Sequence, residues 1–490
     1  MTDVRFAPPT FAPNPSDDRA LAASVSRLLA DDYAVDAVIR ESLASDWPGD
    51  VAGRLLLALS RLERLGAPTA ERAAELCEAI LEALDPYGCF GAPLGDTIDE
   101  QQVACHGWVV SGLLQRSEPR ATAAALRIVD TLLLPALARL DTYPRGRRST
   151  TDGAASGHLI DGRDGWRVST DTWCVLLALN ALVPAYLATE RADIRGAITG
   201  LELLVDGLDV VAEGAQLHAT LSAARALAQL AEHRGDASAL HVARQVYAAY
   251  AGSARTLNAA TFNWFGRPDS WTEPCAMVDA LGLALALWRI TGDDDYLRDA
   301  ERIEHSALGF AQRDDGSFGL DRIATPEDPV IAVIHPDARW CCTMRGAVGL
   351  SEARESTARA EDGGVSIDLL HAGDIDVETS GGAWRVRLER SEDRWVLRLL
   401  GGPEGRACTV TLHAGRFGGR RLELRPTSPT CEIVTDRTPS ETLLEDGRKV
   451  RYLGPDVLSR PMGGGGVDIL RAQPRLGPPG EDAPRYELAW

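Results

Sequence analysis

From about residue 17 to residue 310 the chain is a succession of Ala- and Leu-rich segments whose apolar residues recur at i, i+3, i+4 and i+7. That spacing gives each segment an apolar helical stripe that must be covered. "DVAGRLLLALSRLERLG", "AERAAELCEAILEALDPYG", "RATAAALRIVDTLLLPALARL", "TDTWCVLLALNALVPAYLA", "AQLHATLSAARALAQLAEHRG", "ALHVARQVYAAYAG" and "AMVDALGLALALWRITG" all share it. Roughly a dozen helices are expected. Several end in Gly-Asp, as in "HRGDASAL" and "ITGDDDYL", where glycine takes a left-handed cap and aspartate starts the next helix. Helical hairpins with short loops and so many apolar faces predict a closed ring of paired helices, an (α/α) barrel.

Near residue 356 the period changes from helical to alternating. "GVSIDLLHAGDIDVET", "AWRVRLERSEDRWVLRLLG", "ACTVTLHAGRFGGRRLELRP" and "TCEIVTDR" alternate apolar and polar residues between Gly, Asp and Pro turns, which predicts a C-terminal antiparallel β-sandwich. The tail "MGGGGVDILRAQPRLGPPGEDAPRYELAW" reads as Gly/Pro-rich and irregular until its last residues. The expected organisation is mainly α plus β: a barrel over 1–355 and a β-sandwich with its tail over 356–490. A chain of 490 residues has room for one large and one smaller core.

Charge narrows the partners. The net charge of −20 disfavours nucleic acid and anionic membrane surfaces, which reward clustered basic residues. The opening "MTDVRFAPPTFAPNPSDDRALAAS" lacks a basic region followed by an apolar one, and no apolar run has membrane-spanning length, so the expected location is cytoplasmic. Nine cysteines, an odd number, make no disulfide framework in such a compartment. Cys77 and Cys174 sit in apolar helical patterns and read as small buried hydrophobes. Cys275, Cys341 and Cys342 stand instead among Glu, Trp, Arg and Pro, in "DSWTEPCAM" and "HPDARWCCTMRG".

Glu273, Cys275, Cys341 and Cys342 form a set that zinc could use, since zinc takes thiolate, imidazole and carboxylate ligands in a tetrahedron. Residues one apart converge in extended chain, and an adjacent pair can do so at a helix N-terminus. The same residues also read as a cysteine in a Pro turn and two adjacent core cysteines. No CxxC pair and no histidine ligand decides between these readings.

"SWTEPCAMVDALGLALALWRITGDDDYLRDAERIEHSAL", with "RWCCTMRGAVGL" downstream, resembles the β-L-arabinofuranosidases of glycoside hydrolase family 127 and their relatives. Members carry an E-x-C segment opening a helix that runs to a similar Gly-Asp turn, then a Cys-Cys pair, with an (α/α) barrel preceding a β-sandwich. Weaker echoes are "ILEALDPYGCFGAP" and "LHATLSAARALAQLAEHRGD". The resemblance implies a zinc–cysteine retaining glycosidase. Its nucleophile would be Cys341, and its zinc ligands Glu273, Cys275, Cys341 and Cys342. A metal-bound thiol is deprotonated at neutral pH and can attack an anomeric carbon.

One departure from the family pattern bears on mechanism. The family's general acid/base is a Glu in a G-E-x-F-G stretch, and "FNWFG" here places Asn263 at that position, before a shortened loop. An amide cannot exchange the proton, a step worth about 10²–10⁴ in rate. Asp269, in the loop, is the nearest spare carboxylate, although Pro-Asp also suits a solvated turn. Asp279, one turn into the next helix, reads as structural.

His218 lies where relatives place a histidine facing the sugar, and His106, beside Trp108, is a second candidate for the barrel mouth; each also fits plain helix packing. Trp264, Trp271 and Trp340 flank the key segments as stacking platforms or core residues. His335 reads as a loop cap. The expected partner is a small-molecule or oligosaccharide substrate, and the β-domain of such proteins can mediate a homodimer. Two other readings stand beside the glycosidase. One is terpene-cyclase-like chemistry, for the helical toroid, "AQRDDGSFGL" and the acidic run in "TGDDDYL"; the other is a non-catalytic descendant that keeps zinc structurally.

Overall fold

The computed structural model describes residues 10–13, 18–145, 156–160, 164–256, 258–322, 330–391, 394–414, 419–426, 430–434, 441–443, 449–452, 457–461, 466–475 and 485–488. Within these, helix Asp50–Arg64 packs on Glu100–Arg116, followed around the ring by Leu179–Thr189, Leu217–Arg234, Pro274–Thr291 and Cys342–Glu355. The last of these closes on Asp50–Arg64, so the helices form an (α/α) barrel. Ala70–Ala83, Pro119–Ile128, Ala192–Asp206, Ala237–Ser253 and Asp294–Arg302 are the outer partners, and Arg19–Leu28, from the other end of the chain, covers Cys342–Glu355. Inner helices are buried on nearly every side, which is why small and apolar residues run all round them.

The inner helices run parallel. A Cβ on Gly53 would meet the Val109 nitrogen at 2.4 Å, and one on Gly112 the Gly53 oxygen at 2.7 Å, with Leu56 alongside. Glycine at both positions lets these two helices touch backbone to backbone. Contacts therefore advance in step along both helices, and the N-termini of the inner helices gather on one rim. The Gly-Asp turns are as the sequence suggests. Gly235 and Gly292 are left-handed at φ 67° and 68°, Asp236 accepts from the nitrogens of Ser238 and Ala239 at 3.1 Å, and Asp293 accepts from Asp295 at 3.0 Å.

Two sheets form the sandwich next to the barrel. One has the strand order Thr10–Pro13, Gly373–Thr379, Gly382–Ser391, Arg394–Gly401, Thr430–Val434; the other runs Arg420–Leu424, Cys408–Leu412, Gly364–Ile367, Ala358–Glu361. Alternate residues Ile375, Val386 and Leu388 of the first join Val365 and Val410 of the second in the apolar core. Pairing is antiparallel with one exception, Cys408–Leu412 beside Gly364–Ile367. A third sheet corrects the expectation of an irregular tail. Gly466–Arg475 is a strand pairing with Val457–Pro461, with Arg485–Leu488, and with Val330–His335 from between the barrel helices. The alternation in "GVDILRAQPR" outweighs the neighbouring glycines and prolines.

Two links cross the expected boundary at 355. Strand Thr10–Pro13 adds to the edge of Gly373–Thr379. Arg354 bonds Asp18 at 2.7 and 3.0 Å and also bonds Glu304, which accepts from His371 Nε2 at 2.8 Å. Among the described residues only Pro274–Thr291 is long and apolar enough to cross a bilayer, and it is a buried barrel stave.

Candidate functional site

Pro274 opens helix Pro274–Thr291. Its fixed φ and missing N–H suit the first helical position, so Glu273 becomes the N-cap and Cys275 enters the first turn. Cys341 is in turn the N-cap of helix Cys342–Glu355. Both helix starts lie on the same rim, and there the three sulfurs converge, all within 4.8 Å of one another. Cys275 and Cys342 Sγ are 3.6 Å apart, and Cys341 and Cys342 Sγ 3.4 Å. Cys341 is half-buried, whereas Cys275 and Cys342 are fully buried.

Their acidities diverge accordingly. The neighbouring Cys275 and Cys342 thiols, with the Arg54 guanidinium nearby, hold the Cys341 thiol well below the ordinary range. A thiolate at a helix N-terminus gains further from the backbone dipoles. Burial pushes Cys275 up to about 11 and Cys342 well above its usual value. Glu273 is not among the side chains within 4.8 Å. It is buried, its Oε2 has no hydrogen-bond partner, and burial followed by Cys275 and Asp171 holds its carboxyl far above the usual range.

A charged floor supports the cluster. Arg54 donates to Asp50 at 2.7 Å and to Cys275 Sγ at 3.8 Å, and its Nη1 and Nη2 lie 3.4 and 3.5 Å from His218 Nε2. His218 Nδ1 donates to Asp279 at 2.6 Å, and Asp279 also accepts from Arg345 at 2.5 Å and Arg225 at 3.3 Å. Burial would raise the Asp279 carboxyl, but Arg345, His218 and Arg225 together hold it below the usual value. Trp108 lies under Arg54 and Arg345, 4.3 and 4.8 Å from its ring, and stacks on His218 at 5.7 Å. Asp50 Oδ1, Trp108 Nε1, Asn263 Nδ2, Trp264 Nε1 and Arg345 Nη1 are buried without partners. Native interiors seldom leave such atoms unpaired, so these are groups that a ligand's polar atoms could satisfy.

The other sequence candidates divide. His218 belongs to the floor. Asn263 is buried on the rim, its backbone oxygen accepting from Leu217 at 2.9 Å and its nitrogen donating to Ser270 Oγ at 3.1 Å. Trp264 is buried edge-on to the half-buried Trp271 at 5.2 Å, and Trp340, 44% exposed, packs on His335. His106 is fully buried, with Nδ1 donating to the Gln102 oxygen and Nε2 accepting from the Phe90 nitrogen, so neither nitrogen is left for a sugar. Asp269 is exposed and paired to Arg267 at 2.7 and 2.8 Å, which holds its carboxyl below the usual range and unfits it as a proton donor. The acidic run after Gly292 caps the outer helix Asp294–Arg302, which leaves a terpene-cyclase reading without its inward acid.

Sequence reasoning passed over Arg54, Arg345 and Asp171. The first two had a readable signal, an arginine inside an inner helix with no polar face. Asp171 is buried and bonded to Ser156 Oγ at 2.7 Å, and burial lifts its carboxyl to about 6.

The cysteines fit zinc by an internal criterion. Tetrahedral zinc with sulfur at 2.3 Å needs S···S separations of about 3.8 Å, and the cluster has 3.4 and 3.6 Å.

No protein-family model matches this chain, and no curated protein matches it. Solved structures do. A β-arabinofuranosidase of glycoside hydrolase family 127 superposes with a TM-score of 0.60 at 12% identity, over 93% of this chain and 84% of the other. A family 127 β-L-arabinofuranosidase from Geobacillus stearothermophilus gives 0.58 at 13% identity, over 99% and 96%. A third structure, a glycoside hydrolase, gives 0.58 at 10% identity, over 98% and 93%. At these identities what is shared is the fold, barrel and β-region together.

Proposed function

We propose that the chain is a retaining glycoside hydrolase of the zinc–cysteine kind, cleaving a furanoside or a glycosylated small molecule through a thioglycosyl bond to Cys341. The observation that carries this reading is the convergence of three sulfurs on the inner-helix rim, with the half-buried Cys341 the most acidic of them. Cys275, Cys341 and Cys342, with Glu273 as fourth ligand, would hold zinc, which supplies charge that keeps the thiols deprotonated at neutral pH. The unpartnered Oε2 of Glu273 supports its inclusion.

The remaining roles fall to the chain's own groups. Cys341 Sγ attacks the anomeric carbon as the bond to the leaving oxygen breaks, and water later displaces the sulfur. Arg54 and the Asp279–His218 pair fix the cluster from below, while Trp264, Trp271 and the exposed Trp340 offer faces for a sugar ring.

The test is a panel of aryl and alkyl furanosides and pyranosides, arabinofuranosides included, with wild type and Cys341→Ala. The expected result is turnover of at least one glycoside, a loss of at least about 10³ in kcat/KM in the variant, and a glycosyl mass adduct on the Cys341 peptide under slow deglycosylation. Asn263 at the position of the usual acid/base favours a second reading, a structural zinc without catalysis. Zinc-loaded protein that cleaves nothing in the panel would favour that reading over the first.

A further inference from the structure

Resting on the glycosidase reading, we propose that Asp171 is the proton donor and acceptor that Asn263 cannot be. The two residues stand on neighbouring backbone rungs of the rim. Gln216 donates its N–H to the Thr172 oxygen at 3.4 Å on one side and forms a β-bridge with Trp264 on the other. Asp171 and Asn263 thus each precede a residue joined to Gln216, and Asp171 lies close enough to Glu273, the N-cap beside Cys275, to raise its carboxyl.

The turn that carries Asp171 is pinned from beneath. The Glu100 carboxylate accepts from Ser169 N at 2.8 Å and from Val175 N at 3.0 Å, holding both ends of the segment. Gln101 Nε2 donates to Ser169 Oγ at 3.1 Å, and that oxygen accepts from the Asp171 nitrogen at the same distance. Trp173, two residues on, is left-handed at φ 70°, a conformation bulky residues rarely adopt and one that turns the chain sharply. The Asp171 side chain, 6% exposed, accepts from Ser156 Oγ, and among the described residues no arginine or histidine forms an ion pair with it.

The titratable groups facing it are Glu100 from the inner helix and Glu273 from the start of Pro274–Thr291. Burial first, and Glu100 after it, favour the protonated form, and they outweigh the hydrogen bonds from Ser156 and the Gly157 nitrogen, which favour the carboxylate. Such a group is charged only above about pH 6, the behaviour a general acid needs.

In the first step the Asp171 carboxylic acid gives its proton to the leaving oxygen as the C–O bond breaks and the Cys341–carbon bond forms. In the second, the Asp171 carboxylate takes a proton from water, the water oxygen bonds the anomeric carbon, and the carbon–sulfur electron pair returns to Cys341. The site ends as it began.

The test uses zinc-loaded full-length wild type, Asp171→Asn, Ser156→Ala and Asn263→Glu on an alkyl and a nitrophenyl glycoside of the same sugar. Asp171→Asn is expected to retain zinc and to lose at least 100-fold in kcat/KM on the alkyl glycoside but under tenfold on the nitrophenyl one. Azide should restore its turnover, with glycosyl azide as product. The basic limb of kcat/KM, near pH 6 in wild type, should vanish in Asp171→Asn. In Ser156→Ala it should move upward, because a hydrogen bond to the carboxylate is lost. Equal losses on both glycosides, an unmoved limb in Ser156→Ala, or a gain above tenfold in Asn263→Glu would each overturn the assignment while leaving the glycosidase reading intact. A wild type that cleaves no glycoside would remove both.

Discussion

Cys341 is set apart from its two neighbours by position alone. All three cysteines share the chemistry of a thiol, but Cys341 stands beside the other two thiols and the Arg54 guanidinium, caps a helix and is not fully buried. Its raised acidity means the thiolate is present at pH values where an ordinary cysteine is protonated, and reactivity rises from the lower value upward. In metal-stripped protein, iodoacetamide at pH 6.5 should therefore modify Cys341 first. Cys275 should resist until the pH approaches 11. Arg54→Gln should slow the labelling of Cys341 at pH 6.5 by removing a nearby cation. Peptide mass spectrometry reads the order, and uniform labelling of the three would contradict this account. The sequence drew attention to the three cysteines through their polar neighbours, but their ranking depends on distances that spacing does not encode.

Helix Pro274–Thr291 illustrates what elements add to residues. Before its last turn Asp279 is its one charged residue, and that carboxylate meets His218, Arg225 and Arg345 from two neighbouring inner helices. Asp279→Asn leaves buried guanidinium groups without their counter-charge and should cost about 3–5 kcal/mol in urea unfolding at pH 7. The sign of the pH dependence follows from the lowered carboxyl. Asp279 stabilises the fold above its unfolded value near 4, and the contribution is lost as pH falls through the folded value, so wild type and variant should converge in acid. A gap that widened in acid would contradict this pairing. The helix and its caps were legible because Pro274, Gly292 and Asp293 act locally. Arg225 and Arg345 were not, because their partner lies on another helix and sequence periodicity says nothing about pairing across a ring.

At the scale of the molecule, the change from helical to alternating period near 356 gave the barrel and the β-region, since each period requires its own kind of covering surface. What it did not give was the chain's crossing between the two. Thr10–Pro13 joins the sandwich edge, and Val330–His335 joins a sheet built from the far C-terminal segment. Both are short strands, of four and six residues, with partners more than a hundred residues away, and strands so short carry little pattern of their own. The site was legible in the same partial way. Glu273 and the cysteines stood out, His106 and Asp269 were drawn in by proximity in sequence alone, and Asp171 was hidden because its significance comes from burial and a missing cation.

The parallel inner helices deliver Cys275, Cys341 and Cys342 to one point, a cluster able to hold a metal ion. The direct measurement is zinc per chain in protein purified without added metal, beside Cys275→Ala. The account predicts near-stoichiometric zinc in the wild type and its loss in a variant that remains folded. A well-folded wild type without zinc, and unable to take it up, would contradict the metal centre and the activated thiolate with it.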